Sequence, residues 1–469
     1  MRLAIISAFV SLFIITLFFA SHHLTESPPL WYDEGIYTQD ALNVATYGAS
    51  LIQTAPGHFE SAWSSSGGFP FVYPIALSYK LFGVSVESGR AVMVVFMLLF
   101  VAAATFLVYT LFGTRSALWT LALLATFPVL YGNGKTVIGE IPGLLYLATF
   151  LIVVAHIEKK QFKVSVPFFF LAGLIAGLCV VTKPLFLVLP VAVIAALIWQ
   201  RNQIPWRMNI VIAAVLGGVV PLAVHLLMHL NGASLATIIG YYANPYGIAG
   251  GSLVSTILGN VLRFMRESSP AYCALVYAVW CASVVWRVYR KRPVSLVEKI
   301  ALIFALFVFV AYVRTAGWYR YFFTANVLAL MFFPAALSSF GLRRCAIVIM
   351  VALILMQSYQ LLFTSFVAQY DTSHRTAQIR EQFAGVSATS TLFFLDVPEL
   401  ALFAEKRPYY QYLKETAPFV YGEDQLPRIA KGIPDVVIVR SSDAALYTDL
   451  LVHYATTSDT GYAFFYKTQ

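Results

Sequence analysis

The chain has 469 residues, of which 59% are hydrophobic and only 11% charged, with a formal net charge of +9. A typical soluble domain carries roughly 25% charged residues. The composition therefore excludes an ordinary soluble protein and predicts a multi-pass membrane protein, and no feature of the sequence indicates binding to nucleic acid.

The apolar runs predict eleven membrane spans, because each approaches the ~20 residues needed to cross the hydrocarbon core. They cover residues 3–20, 91–112, 117–131, 138–156, 164–182, 184–199, 210–230, 271–286, 300–313, 321–340 and 345–365. Lys and Arg are more frequent in the segments on the N-terminal side of the membrane, which predicts a cytoplasmic N-terminus. The tail then lies outside, and the protein is expected in the plasma (inner) membrane.

The first external loop contains the segment WYDEG, in which Asp33 and Glu34 lie side by side. The following residues, GIYTQDALNVATYG, fit a short amphipathic helix at the membrane interface. A second apolar segment, FPFVYPIALSYKLFG, is interrupted by proline and is also expected at the interface. Most carboxylates of the membrane body fall in external loops, so any chemistry is expected on the outer face.

Residues 1–365 form the predicted membrane body, and residues 366–469 form a predicted external domain with a net negative charge. The tail alternates apolar β-rich segments (391–397, 434–440 and 461–467) with two helix-like segments, ELALFAEK and SDAALYTDLLVHYA. This alternation is typical of a small α/β domain. The four cysteines lie in or beside apolar spans and form neither a disulfide framework nor a zinc motif.

An ordered set of motifs resembles the GT-C glycosyltransferases, in particular the family-39-like group of protein mannosyltransferases and lipid A aminoarabinose transferases. The motifs are WYDEG, FPFVYPIALSYKLFG, VSVESGRAVMVV, NGKTVIGEIPGLLYL, VTKPLFLVLP and WYRYFFTANVLALMF. The resemblance implies a helical membrane fold of GT-C type. It also implies an inverting transferase that moves a sugar from a polyprenyl-phosphate carrier to an external lipid, glycan or protein acceptor, in contact with membrane lipids.

The resemblance assigns the catalytic base to Asp33, which would accept the proton of the attacking acceptor. Glu34 beside it can hydrogen-bond to the sugar or the acceptor. Asp33 can also cap the following helix, and the two roles are compatible. Glu140 stands where family members often carry an acid, with a salt bridge to Lys135 as the structural alternative.

The leaving phosphate needs fixed cations, and the candidates on the outer side are Lys135, Lys183, Arg314 and Arg320, with Arg90 as an outlier. Interfacial snorkelling is the alternative for all of them. Lys183 and Arg320 match family positions and are expected to bind phosphate, whereas Arg314 and Arg90 are expected to snorkel. Tyr73 and Tyr319 flank the motifs and are the aromatic residues expected to contact the sugar. Since the donor is a monophosphate and basic residues are available, neither a metal nor another cofactor is required.

Three alternatives remain open at this point. A secondary transporter would place ionisable groups near mid-bilayer and would often show inverted repeats. A ligase that uses a polyprenyl-diphosphate donor would also use external loops, and a lipid-binding scaffold would need no catalysis. The sequence SSSGGFP replaces an acidic and basic pair of the lipid A type relatives, which disfavours aminoarabinose transfer and leaves the acceptor unassigned.

Overall fold

The structure is a computed structural model that describes residues 2–65, 67–203, 207–230, 232–243, 252–267, 271–314, 319–341, 343–365, 375–414, 420–459 and 461–468. The helices of the body are α1 (Arg2–Ser21), α2 (Tyr32–Tyr47), α3 (Phe69–Phe82), α4 (Val86–Phe112), α5 (Thr114–Thr126), α6 (Pro128–Lys135), α7 (Glu140–Lys159), α8 (Val166–Thr182), α9 (Leu189–Trp199), α10 (Met208–His229), α11 (Leu235–Ala243), α12 (Leu253–Glu267), α13 (Tyr272–Tyr289), α14 (Leu296–Arg314), α15 (Tyr319–Ser339) and α16 (Arg343–Tyr359).

The described residues contain eight helices that are long and apolar enough to cross a membrane, or nine if the bent pair α5 and α6 is one span. The prediction of eleven spans is therefore too high by this criterion, although every predicted run contains a helix. Residues 164–182 and 184–199 form shorter apolar helices, and α5 and α6 meet at an angle of 66° beside Pro128. The protein is a multi-pass membrane protein.

The backbones of helices α8 and α10 lie in close contact at glycine residues. A Cβ on Gly173 would lie 1.9 Å from the carbonyl oxygen of Ala214, and a Cβ on Gly217 would lie 2.1 Å from that of Phe170. Small residues of this kind let helix backbones approach within a membrane, where apolar side chains gain little by leaving lipid. These glycines therefore fix the contact between the two helices.

The loop between α1 and α4 is ordered and holds both predicted helices, α2 and α3. Between them lies a hairpin of β1 (Leu51–Ala55) and β2 (His58–Ser61), which the sequence analysis did not predict. Helix α2 starts at Tyr32 without a side-chain cap, so the alternative role of Asp33 as a helix cap is wrong.

The tail is a small domain with one mixed sheet, as predicted. Helix α17 (Arg375–Gly385) precedes β3 (Leu392–Leu395), β4 (Tyr409–Lys414), β5 (Val420–Tyr421), α18 (Leu426–Ala430), β6 (Val436–Arg440), β7 (Tyr454–Asp459) and β8 (Tyr462–Lys467). The spatial order is β5-β4-β3-β6-β8-β7, with β3 parallel to both neighbours. The two predicted helices are instead short 3-10 segments, Pro398–Ala404 and Ala444–Tyr447. The domain boundary at 365/366 stays a prediction, since residues 366–374 lie outside the described ranges.

The tail packs directly on α2 and the hairpin. Gln39 and Gln411 are buried and exchange amide hydrogen bonds of 2.9 and 3.0 Å, and Gln39 also donates to the carbonyl of Pro398. Gly35 lies against the backbone of Pro398 and Glu399, where a Cβ would approach to 2.2 Å. The body and the tail are therefore in contact along α2.

Candidate functional site

Two ion pairs meet where α2, α7, α8 and α15 come together. Asp33, at the start of α2, accepts a hydrogen bond from Arg320 near the start of α15, and each side chain is about a quarter or less exposed, at 25% and 21%. Glu140, the first residue of α7, accepts from Lys183 Nζ at 2.6 Å. Lys183 also interacts electrostatically with Asp33 and Arg320, so the two pairs form one charged cluster.

The cluster has unused hydrogen-bonding capacity. Within the described part of the chain, Glu140 Oε2 and Arg320 Nε are buried and have no hydrogen-bond partner. A buried polar atom without a partner costs free energy, so such atoms often mark a place where a ligand or water binds. One carboxylate oxygen and one guanidinium nitrogen are thus available to a molecule that enters beside Asp33.

Glu34 points away from the charged cluster, toward α4. Its two carboxylate oxygens accept from Arg90 Nε and Nη2, both at 2.7 Å, and Oε1 also accepts from the Val137 amide at 3.2 Å. Arg90 is fully buried and donates further to two carbonyl oxygens of the loop after α1. This buried bidentate pair holds the start of α2 on α4, and Arg90 does not snorkel.

Lys135 lies on the Arg90 side of α2. Its Nζ donates to the carbonyl oxygen of His22 at 2.6 Å, and its side chain is completely buried. Glu140 pairs with Lys183, so the alternative of a Glu140–Lys135 salt bridge is wrong. Lys135 is thus packed next to Arg90 rather than brought to Arg320.

The two predicted aromatic residues lie apart from the charged cluster. Tyr319 accepts from Asn326 Nδ2 at 2.7 Å and stacks on Phe264, so its ring faces the helix bundle. Tyr73 lies on α3 and donates to the Met228 sulfur at 3.7 Å. Both residues line a cavity that does not include Asp33 or Arg320. Neither contacts Asp33 or Arg320 within the interactions of the described residues.

Comparison with known proteins places the chain structurally. The family model of dolichyl-phosphate-mannose-protein mannosyltransferases matches residues 68–228, and no curated protein matches the sequence. ArnT from Cupriavidus metallidurans bound to undecaprenyl phosphate superposes with a TM-score of 0.62 at 12% identity, covering 98% of this chain and 97% of that chain. The protein has a GT-C fold.

Oligosaccharyltransferases share this fold at lower similarity. The Archaeoglobus fulgidus enzyme in complex with Zn and sulfate gives a TM-score of 0.56 at 13% identity, covering 98% of this chain and 73% of that chain. AglB from the same organism, in complex with an inhibitory peptide and a dolichol-phosphate, gives 0.52 at 13% identity, covering 100% and 74%. The resemblance to GT-C proteins inferred from the motifs is confirmed.

Sequence reasoning missed two aromatic residues beside the charged cluster. Tyr321 receives a 3.5 Å hydrogen bond from Arg320 Nη2 and lies in electrostatic range of Asp33 and Glu140. The buried ring of Tyr37 lies 5.9 Å from Lys183 Nζ. Tyr321 directly follows Arg320, and Tyr37 comes four residues after Asp33. The sequence alone does not show that their side chains point toward the charged cluster. No group of three metal-ligating side chains occurs among the described residues.

Asp40, also on α2, gives the protein a predicted pH dependence. Burial raises the pKa of this carboxyl to about 7, although hydrogen bonds from Ser50 and the Leu51 amide lower it in part. The unfolded chain loses this proton near pH 4, so the folded state is destabilised as pH rises from about 4 to 7, by up to about 4 kcal/mol. We expect Asp40→Asn to raise the melting temperature at pH 8 relative to wild type and to change it little at pH 4. An equal change at both pH values would contradict this.

Proposed function

We propose that this protein is a glycosyltransferase that moves a sugar from a polyprenyl-phosphate donor to an external acceptor with inversion at the anomeric carbon. The observation that carries the proposal is the Asp33–Arg320 pair beside the buried Glu140–Lys183 pair. A carboxylate that is about a quarter exposed and lies next to fixed cations supplies a proton acceptor and a phosphate site within one cluster.

Asp33 is the proposed base. An acceptor hydroxyl or amine becomes a better nucleophile when a carboxylate accepts its proton as the new bond forms. Asp33 is the accessible acid of the pair at the start of α2, because Glu34 is buried and paired on both oxygens. We therefore assign Glu34 a positioning role through Arg90, in place of the predicted contact with substrate.

Arg320 and Lys183 are the proposed phosphate ligands. When the bond to the anomeric carbon breaks, the departing phosphate gains negative charge, which preorganised cations stabilise in a partly dry site. Arg320 Nε has no partner in the described residues, and Lys183 Nζ is held at 2.6 Å by Glu140. Lys135 is proposed to support this region through its contact with the loop after α1 rather than by touching phosphate.

Glu140 is the proposed second functional carboxylate. Oε1 positions Lys183, and Oε2 is buried without a partner among the described residues. A sugar hydroxyl donating to Oε2 would satisfy that oxygen and orient the donor next to Lys183. The geometry thus supports a role in substrate orientation in addition to the ion pair.

The likeness to known structures supports a lipid-linked donor. ArnT was crystallised with undecaprenyl phosphate, and AglB was studied in complex with a dolichol-phosphate. The external location rests on the distribution of Lys and Arg, and nucleotide sugars are absent from that side of the membrane. A polyprenyl monophosphate sugar is therefore the donor that we propose.

A ligase that transfers a glycan from a polyprenyl diphosphate is the second candidate, because the chain also superposes on the archaeal oligosaccharyltransferase. Its donor would carry one more phosphate and a larger glycan. Residues 68–228 match the family model of dolichyl-phosphate-mannose-protein mannosyltransferases, which favours the monophosphate-dependent transferase over the ligase. The two candidates differ in the donor that they consume.

The test is donor consumption by purified protein in lipid vesicles, with radiolabelled polyprenyl-monophosphate sugars, polyprenyl-diphosphate glycans and a cell-envelope extract as acceptor. We expect one monophosphate sugar to be consumed and Arg320→Gln to slow this by roughly 10²-fold, as the loss of a charge-stabilising donor does. Arg314→Gln is the matched control, since Arg314 is exposed at the end of α14. Consumption of a diphosphate glycan alone would establish the ligase, and consumption of no donor would refute both.

A further inference from the structure

A second cavity, of about 610 Å³, lies at the far end of α2 from Asp33. Gly48, Ser50 and Leu51, which follow the last turn of α2, form part of its wall. Fifteen residues of helix span roughly 20 Å at a rise of 1.5 Å per residue. The cavity is therefore separate from the charged cluster, although one rigid helix connects them.

Several parts of the chain build this cavity, among them α10 with Leu227 and Met228. Phe59 and Trp63 come from the hairpin and its following turn, Tyr73 comes from α3, and Tyr421 comes from β5 of the tail. The Tyr421 hydroxyl hydrogen-bonds to Ser64, which fixes the tail to the hairpin at the cavity wall. The cavity is incomplete without the tail domain.

The charged groups at the cavity are acidic. Glu60 lines the cavity and accepts a hydrogen bond from the Gly422 amide at 3.3 Å. Burial raises the pKa of the Glu60 carboxyl, and the nearby Asp424 raises it further, whereas the hydrogen bond from Gly422 lowers it. Asp40 is 1% exposed and accepts hydrogen bonds from two wall residues, while its Oδ1 has no partner in the described chain. No Lys or Arg is among the described lining residues.

These groups select a class of ligand. Aromatic rings present apolar faces that pack on the C–H faces of a sugar, and carboxylates accept hydrogen bonds from sugar hydroxyls or amines. An anionic ligand would meet the Glu60 carboxylate and no basic side chain among the described lining residues, which disfavours phosphate or uronic acid groups. The volume is in the range of small-molecule sites, about 300–1,000 Å³.

We propose that this cavity binds a neutral or amino-bearing sugar unit of the acceptor glycan, at a distance from the unit that reacts. The proposal rests on the proposed function, because it gives the bound sugar the role of acceptor. An acceptor that reaches both the cavity and Asp33 must span several sugar units. The tail domain thereby selects the acceptor, and the body carries out the transfer.

Binding is tested on the full chain in nanodiscs, without any donor. Tryptophan is replaced by 5-fluorotryptophan, and Trp63→Phe assigns the Trp63 fluorine resonance. The probes are mannotriose, a glucosamine trimer and an acidic hyaluronan tetrasaccharide. We expect one of the first two to shift the Trp63 resonance in a saturable manner, and the acidic probe to leave it unchanged. Tyr73→Ala and Glu60→Gln should weaken that binding at least tenfold.

Two matched variants control for nonspecific effects. Tyr109→Ala removes a tyrosine that is 52% exposed on α4, and Glu405→Gln removes an exposed tail carboxylate. Both should bind as wild type does. The proposal is overturned if the acidic probe binds equally well, if no probe shifts Trp63, or if the cavity variants match the controls.

A kinetic measurement separates this inference from the proposed function. In the envelope-extract reaction, Tyr73→Ala and Glu60→Gln should raise the half-saturating amount of extract at least tenfold, with the plateau rate and the half-saturating donor concentration unchanged. Unchanged half-saturation in both variants would overturn the inference while leaving glycosyl transfer intact. Absence of donor consumption by wild type would instead overturn the proposed function.

Discussion

Asp33→Asn is expected to lower kcat for sugar transfer by roughly 10³-fold, because general base catalysis typically contributes 10²–10⁴-fold. The amide keeps the shape of the carboxylate and can still accept from Arg320, but it cannot take the proton of the acceptor. The measurement is single-turnover transfer from the polyprenyl-monophosphate donor in vesicles. The half-saturating donor concentration should change much less than kcat.

Glu87→Gln is the matched control for this prediction. Glu87 also pairs with an arginine, Arg380, at 2.5 Å, and about half of each side chain is exposed. The same chemical change is made there in an ion pair that lies outside the charged cluster. If Asp33→Asn kept a tenth or more of the wild-type rate, the base would have to be another group, with Glu140 the next candidate.

Gly35→Ala is expected to separate the tail from α2 and to reduce transfer by roughly 10²-fold, the effect that a displacement of about 1 Å can have on a reacting group. The added Cβ would lie 2.2 Å from the Glu399 amide nitrogen and 2.4 Å from the Pro398 carbonyl carbon. Both are backbone atoms, which cannot move aside as a flexible side chain can. Limited trypsin digestion should release the tail faster than in wild type.

Gly259→Ala tests whether the effect is specific to the contact. Gly259 also lies within a helix, α12, but a Cβ there would meet nothing within 4 Å. Alanine favours a helix over glycine, so this variant should be at least as stable as wild type. Equal protease resistance and activity in the two variants would show that the contact between Gly35 and the tail is dispensable.

The fold was largely predictable because a helix that crosses the lipid bilayer needs a long run of apolar residues, which is visible in the sequence. Each long apolar run of the sequence contains a helix in the structure, and the β-rich segments of the tail form β3, β6 and β8. Fewer helices meet the length criterion for a span than the eleven runs predict, because an apolar run reports hydrophobicity but not where the helix bends or stops. Pro128 interrupts the run 117–131, and Pro184 begins the run 184–199 with a short 3-10 segment.

The tail shows where local pattern fails. ELALFAEK has the composition of a helix, yet Pro398–Ala404 forms a 3-10 segment that packs its buried Leu400 and Ala401. The segment lies in the connection between two parallel neighbouring strands, β3 and β4, and packs against Gly35. Tertiary contacts of this kind override weak helix propensity.

At the site, the sequence identified charged residues but could not pair them. Glu140 and Lys135 are close in sequence, which suggested a salt bridge, whereas the structure joins Glu140 to Lys183 from the next helix. Glu34 was expected to contact substrate because it adjoins Asp33. Successive residues of a helix point about 100° apart, and this rotation directs Glu34 to Arg90 instead.

The rotation of α2 also limits how the chain can change in length. Asp33, Glu34 and Gly35 contact Arg320, Arg90 and Glu399 in turn, and Gln39 meets Gln411 one turn later. An insertion of one residue between Gly35 and Gln39 would turn the rest of the helix by about 100° and shift it by 1.5 Å. Insertions and deletions between Asp33 and Gln39 should therefore not be tolerated.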